Sequence, residues 1–120
     1  MLKIYTLSNC DTCRAATKWL RARGLEFEER AIRETPPSIP ELRAALAASG
    51  GELRKLFNVA GRDYREMKLV DKLPTMTEAA ALSLLAGNGN LVKRPFALGK
   101  NAGVVGFKPD EWESFLSAAR

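Results

Sequence analysis

The chain opens on a nearly continuous apolar run, Leu2, Ile4, Tyr5 and Leu7, with only Lys3 and Thr6 between them. A short strand that is apolar on both faces belongs in the middle of a sheet. From Thr12 to Arg23 the period changes. Ala16, Trp19, Leu20 and Arg23 recur at helical spacing, and Gly24 stands just beyond them as a C-cap. Leu25 to Ala31 returns to alternation, with Leu25, Phe27 and Glu29 on one side and Glu26, Glu28 and Arg30 on the other. A strand, a helix and a strand of these lengths predict one right-handed βαβ unit with parallel strands.

After Thr35-Pro36-Pro37 the pattern turns helical. Ser38-Ile39-Pro40-Glu41 reads as a capping box with proline in the first turn, and the helix it starts runs through Ala48 to the stop at Ser49-Gly50-Gly51. Glu52 to Phe57 predicts a further helical turn or two, closed by Asn58 and Gly61. Tyr64, Met67 and Leu69 mark another short segment, and Thr75-Met76-Thr77-Glu78 reads as a cap for a helix to Ala86. The tail returns to strands. Phe96-Ala97-Leu98 and Val104-Val105-Gly106-Phe107 predict a hairpin around the longer loop Gly99-Lys100-Asn101-Ala102-Gly103. Pro109 and the set Trp112, Phe115, Leu116 and Ala119 define a last amphipathic helix.

The predicted order is therefore βαβ, helices, ββα. It is the order of an α/β, thioredoxin-like fold: a mixed four-stranded sheet with helices on both faces, in a single domain over residues 1–120. The helical insertion falls at about residues 38–90, too short and too free of linker-like composition to stand as a second domain.

At 120 residues and 46% hydrophobic, the chain buries a two-layer core without disulfide or metal support. It has no run of about 18 apolar residues and no charged-then-apolar leader, so a cytoplasmic protein with no membrane association is expected. There is no histidine, which removes Cys-His nucleophilic catalysis and every His-ligated metal site. Two cysteines plus Asp11 make a poor zinc set, so no metal is expected. The net charge is +5, from 19 basic and 14 acidic residues. The bases are dispersed along the chain, and neither a known DNA-binding motif nor a concentrated basic helix is present, so direct nucleic-acid binding is not expected.

The only two cysteines lie together in Asn9-Cys10-Asp11-Thr12-Cys13, where the first strand gives way to the first helix. A C-x-x-C placed there, in a reducing compartment, reads as a thioredoxin-like redox motif. Only a thiolate attacks, and the positive end of a helix favours an anion at Cys10, with Arg14 adding to the effect and Asp11 opposing it. Cys10 is then the nucleophile, and Cys13, one turn on, resolves a mixed disulfide. The plain alternative is a pair of buried, inert thiols.

A second feature is Lys93-Arg94-Pro95, just before the C-terminal hairpin. An X-Pro bond at the start of a strand is a place for a cis peptide. If Pro95 faces the C-x-x-C turn, Arg94 comes with it, and its guanidinium suits a thiolate or an oxyanion. The alternative is an exposed basic pair ahead of a strand.

Three stretches together resemble the ArsC/Spx family of thioredoxin-fold proteins. They are Ile4-Tyr5 with Asn9 through Leu20, Lys55-Leu56-Phe57-Asn58-Val59-Ala60-Gly61-Arg62-Asp63-Tyr64-Arg65, and Leu91 through Phe96 with Val105-Gly106-Phe107-Lys108 and Trp112. The family includes arsenate reductases, ArsC-like reductases and Spx-type transcription regulators. The resemblance implies Cys10 as the reactive thiol and Arg94 as its anion-binding neighbour, with Asn9, Arg14, Arg62 and Pro95 around the substrate. It departs from the arsenate reductases at two clamp arginines. Asn58 stands at one such place, with Arg62 only nearby, and no arginine lies between Pro95 and Ala119. The expected activity is therefore that of an ArsC-like thiol-disulfide oxidoreductase with no bound cofactor. Its expected partner is a thiol reductant: glutathione, glutaredoxin or thioredoxin. The alternative the resemblance carries is an Spx-like redox-sensing regulator that docks on RNA polymerase. A monomer is expected in either case, and a fold relic whose thiols do little is the third reading.

Overall fold

A computed structural model describes residues 2–100 and 102–119. Four strands, β1 (Leu2–Thr6), β2 (Phe27–Ala31), β3 (Phe96–Gly99) and β4 (Ala102–Val105), form one sheet in the order β2-β1-β3-β4. β1 pairs parallel with β2 and antiparallel with β3, and β3 pairs antiparallel with β4. This is the mixed sheet of the thioredoxin-like fold, and β1 is an interior strand, as its apolar run predicts.

Alternation along β1 and β3 divides the core into two layers. Ile4 and Ala97 point to one face, where helices α1 (Asp11–Ala22) and α6 (Pro109–Ala119) supply Ala16, Leu20, Trp112, Phe115 and Leu116. Tyr5 and Phe96 point to the other, against Leu42, Ala45, Leu56, Leu82 and Leu85. That second layer comes from α2 (Ile39–Ala48), α3 (Arg62–Glu66), α4 (Leu69–Lys72) and α5 (Glu78–Gly87), with 3-10 turns between α2 and α3 (Leu53–Leu56), between α4 and α5 (Leu73–Thr75) and after α5 (Gly89–Leu91). Each fully buried leucine adds on the order of 2 kcal/mol of hydrophobic stabilisation.

Local signals set most of the boundaries. Gly24 takes a φ of +69° just past α1, the left-handed conformation glycine supplies at a helix end. Ser38 caps α2 and Glu41 closes the capping box from the N3 position. The carboxylate does more than cap, because Tyr5 Oη (2.7 Å), Lys3 Nζ (2.8 Å) and the Ser38 N–H (2.9 Å) all donate to it, tying α2 to β1. Burial alone would raise the Glu41 pKa, but those donors, Lys3 foremost, hold it down at about 2. Tyr5 is raised by its burial and by the neighbouring carboxylate.

The structure corrects the sequence reading in three places. The cap of α5 is Thr77, whose Oγ1 accepts from the Ala80 N–H (3.1 Å), and not Thr75. Thr75 instead ends a 3-10 turn and donates to the Lys72 carbonyl. The C-terminal hairpin is tighter than predicted, because Gly99 and Ala102 still pair; Asn101 of that loop lies outside the described residues. β2 begins at Phe27, two residues after the expected Leu25, because Leu25 donates its N–H back to the Leu20 carbonyl at the end of α1.

Candidate active site

The carboxyl ends of β1, β2 and β4 and the amino end of β3 meet at one edge of the sheet, as their pairing directions require. Cys10 lies at this edge as the N-cap of α1, with extended backbone (φ −111°, ψ 109°). Its N–H donates to the Leu7 carbonyl (3.2 Å), which folds residues 8–9 into a turn. Its Sγ accepts from the Cys13 N–H at 3.1 Å. The sulfur thus occupies the place of a capping oxygen, at the positive end of the helix dipole.

The two thiols are free and differ in environment. Cys10 is half-buried, whereas Cys13 is 2% exposed and belongs to the inward face of α1 with Ala16, Thr17 and Leu20. Burial pushes the Cys13 thiol up to about 12, and its hydrogen bond with Cys10 adds to the rise, while the Leu7 backbone and the charge of Arg94 oppose it.

Arg94 reaches this edge through strand register. The β1–β3 ladder runs from Lys3–Leu98 to Tyr5–Phe96, and Arg94 lies two residues before Phe96, on the side of the sheet where β1 ends. The Arg94-Pro95 peptide is cis, Pro95 is buried, and the Pro95 carbonyl accepts from the Gly106 N–H (2.8 Å) at the end of β4. Arg94 is half-buried, but its Nη1 is buried and makes no hydrogen bond, the one such side-chain atom among the described residues.

The other sequence candidates lie further out. Asn9 is exposed in the turn before Cys10. Arg14 donates to the Ser8 carbonyl (2.9 Å) and pairs with Asp11, so it offsets the one carboxylate that opposes a thiolate on this turn. Arg62 opens α3 with an exposed side chain engaged by Asp63 (3.5 Å) and Glu66 (4.0 Å) of its own helix. Asn58 donates its backbone N–H to the Leu91 carbonyl (2.7 Å), beside the isolated bridge between Phe57 and Val92.

The sequence reading passed over Leu7, whose main chain serves both cysteines, and an amide cluster at the same edge. In that cluster Asn88 (3.1 Å) and Asn90 (3.4 Å) donate to Asp63, and Arg33 donates to Asn90 (2.5 Å). Neither carries a signal in residue type or spacing. A cavity of about 660 Å³, lined by Leu2, Leu25, Leu98, Lys3, Glu41 and Lys100, lies at the opposite end of the sheet from the thiols. Among the described residues no three His, Cys, Asp or Glu side chains converge as a metal site, and no helix is long and apolar enough to cross a membrane.

Known proteins place this edge in context. The model of the ArsC family matches residues 5–115. The uncharacterized protein YusI of Bacillus subtilis is 46% identical over 112 residues, 93% of this chain and 95% of YusI. The global transcriptional regulator Spx of Enterococcus faecalis is 31% identical over 97% of this chain and 86% of its own length. The crystal structure of an ArsC family related protein from Bacteroides fragilis superposes with a TM-score of 0.88 at 43% identity, covering 95% of this chain and 96% of the other.

Proposed function

This chain belongs to the ArsC family, and from that premise we propose that it is a thiol-disulfide oxidoreductase with Cys10 as nucleophile and Cys13 as resolving thiol. The observation that carries the reading is the asymmetry of the pair. A half-buried sulfur caps the helix, and a sealed sulfur lies behind it, joined through a 3.1 Å N–H···S contact. The Cys10 thiolate attacks one sulfur of a substrate disulfide, and the other sulfur leaves as a thiolate. Cys13 then loses its proton and attacks Cys10 Sγ, which forms the Cys10–Cys13 disulfide and releases the second substrate thiolate. Two electrons have passed to the substrate. An external thiol reductant (glutathione, glutaredoxin or thioredoxin) returns them by the same exchange. Arg94 steadies negative charge at this edge, with Asn9, Arg14, Arg62 and Pro95 as its surroundings. No bound cofactor and no metal take part.

Intact mass after exposure to a small disulfide tests the assignment. Cys13→Ser is expected to hold one adduct on Cys10, the wild type to pass on to an internal disulfide, and Cys10→Ser to take no adduct and show no turnover. Full turnover by the Cys10→Ser protein would refute the reading.

A second reading is favoured by the likeness to Spx across 97% of the chain. In it the same disulfide is a switch that changes docking on RNA polymerase. It predicts that polymerase subunits are captured by only one redox state, and equal failure of both states to capture them removes it.

A further inference from the structure

We propose that Arg33 sets substrate preference at this edge: its guanidinium, held in place by Asn90, takes a carboxylate carried by a small disulfide while Cys10 attacks the sulfur. The proposal rests on the reading of Cys10 as nucleophile and adds to it the class of disulfide preferred.

The first observation is where Arg33 stands. The Ile32 N–H donates to the Thr6 carbonyl (2.9 Å), and the Cys10 N–H donates to the Leu7 carbonyl (3.2 Å). Successive carbonyls at the end of β1 therefore hold the residue before Arg33 and the nucleophile itself, and successive strand residues are only about 3.3 Å apart along the strand. One small substrate can span the two.

The second is how the side chain is held. Arg33 Nε donates to Asn90 Oδ1 (2.5 Å). Asn90 is fixed in turn, because its N–H donates to Asn88 Oδ1 (3.0 Å) and its Nδ2 to Asp63 (3.4 Å). Asn88 donates to the same Asp63 oxygen (3.1 Å). Gly89, between the two amides, is pressed onto the neighbouring backbone: a Cβ there would fall 1.9 Å from the Ile32 carbonyl oxygen and 3.1 Å from Arg33 Cα. Loop and arginine hold one another, the rigid support that a binding group needs.

The third is what the guanidinium lacks. Arg14 and Arg62, the other exposed arginines described at this edge, are engaged by carboxylates of their own helices. Arg33 is exposed, its anchor is a neutral amide oxygen, and among the described residues its Nη groups make no hydrogen bond and no carboxylate pairs with it. Of the acids close by, Asp63 is engaged by Arg62 and both amides, and Glu34 is exposed. Ordering a long side chain costs rotamer entropy, and a neutral anchor leaves the charge undischarged. Two open Nη groups in one plane suit a carboxylate, which accepts two parallel N–H bonds. With the carboxylate seated there, the Cys10 thiolate attacks the near sulfur, the substrate S–S bond breaks, and the far sulfur leaves as a thiolate. Arg33 exchanges no proton.

Two probes test this on the full-length protein: dithiobis(nitrobenzoate), which carries two carboxylates, and dipyridyl disulfide, which is uncharged at neutral pH. Each gives a coloured product when Cys10 attacks, so the second-order rate of the first phase is read for both. Arg33→Gln is expected to lower the ratio of the nitrobenzoate rate to the dipyridyl rate by about threefold or more, as for loss of an exposed ion pair. Arg33→Glu reverses the charge and is expected to lower the ratio by about tenfold, with the dipyridyl rate within about twofold in both variants. Arg33→Lys keeps the charge but neither the fork nor the Nε anchor, so its ratio falls between wild type and Gln. Arg23→Gln makes the same change in net charge at the far end of α1, about 18 Å of helix away, and is expected to leave the ratio within about twofold. Should Arg33→Gln not fold, the Lys and Glu variants answer by the same comparison. A ratio that Arg33→Gln leaves unmoved, or that Arg23→Gln moves as much, overturns the proposal. Equal slowing with both probes overturns it too, since it would mark a structural role. Reaction of Cys10→Ser with both probes at the wild-type rates would instead remove the reading beneath it.

Discussion

Replacing Glu41 by Gln removes one charge from the hub that ties α2 to β1 and leaves the shape of the side chain intact. The carboxylate accepts from Lys3, Tyr5 and the Ser38 N–H, and only 20% of its side chain remains accessible. Its pKa is held at about 2, against 4.5 for an unperturbed glutamate. At about 1.4 kcal/mol per unit that difference corresponds to roughly 3 kcal/mol, and the remaining contact with water reduces it to about 2 kcal/mol. The folded protein binds the Glu41 proton less readily than the unfolded chain does. The contribution is therefore whole above the unfolded value of 4.5 and is lost as the pH falls through the folded value of about 2. Urea denaturation of the wild type and of Glu41→Gln, run from about pH 7 down to about pH 3, measures it directly. The expected gap is about 2 kcal/mol at neutral pH, with roughly half of it gone by about pH 3. A gap that stays constant over that range would refute the argument, since Gln cannot titrate. Absence of any gap at neutral pH would show that the three donors merely replace water.

Gly89→Ala is expected to destabilise by more than about 3 kcal/mol in thermal or urea unfolding, because the new Cβ would fall 1.9 Å from the Ile32 carbonyl oxygen and both partners are backbone. Trp112→Phe removes the donor to the Gly106 carbonyl (2.8 Å) and part of a side chain packed edge-on to Trp19, Phe107 and Phe115. A loss of about 2–3 kcal/mol is expected by the same measurement. Gly24→Ala meets no atom within 4 Å but needs a φ of +69°, so it should cost only about 1 kcal/mol.

Where a feature depends on neighbours in sequence, it could be read without the structure. The Ser38–Glu41 box needs only four residues, and both of its hydrogen bonds are present. The parallel β1–β2 pair follows from the lengths of strand, helix and strand, and Gly24 from the helix end it closes. The Thr75 cap failed for a local reason: Thr75 and Thr77 are both cap-type residues two places apart, and Pro74 holds the first in a 3-10 turn. What could not be read are contacts made by register. Nothing about Glu41 announces Lys3 and Tyr5, 38 and 36 residues away, and nothing about Asp63 announces Asn88 and Asn90. The placement of Arg94 is intermediate, since the Pro after it suggests a turn but only the β1–β3 pairing says to which edge of the sheet it comes.

The division between the two sulfurs follows from the helix itself. An N-cap residue has extended backbone, so its side chain turns back across the first turn and stays near the surface; Cys10 does this. A residue three places on is already helical, and its direction is set by the 3.6-residue period. Cys13 therefore falls in line with Ala16, Thr17 and Leu20, the stripe that α1 buries against the sheet. The same three-residue spacing brings the sulfurs within reach and gives them opposite relations to solvent. Shifting the second cysteine by one place would put it where Thr12 or Arg14 now stands, both exposed, and both sulfurs would then meet water. A sealed second thiol is hard to ionise, so the arrangement needs a cation that does not come from α1. The outer bases of this edge, Arg14 and Arg62, are already engaged by carboxylates. Arg94, from ahead of β3, is the cation that opposes the rise at Cys13, and its Nη1 is buried without a hydrogen bond.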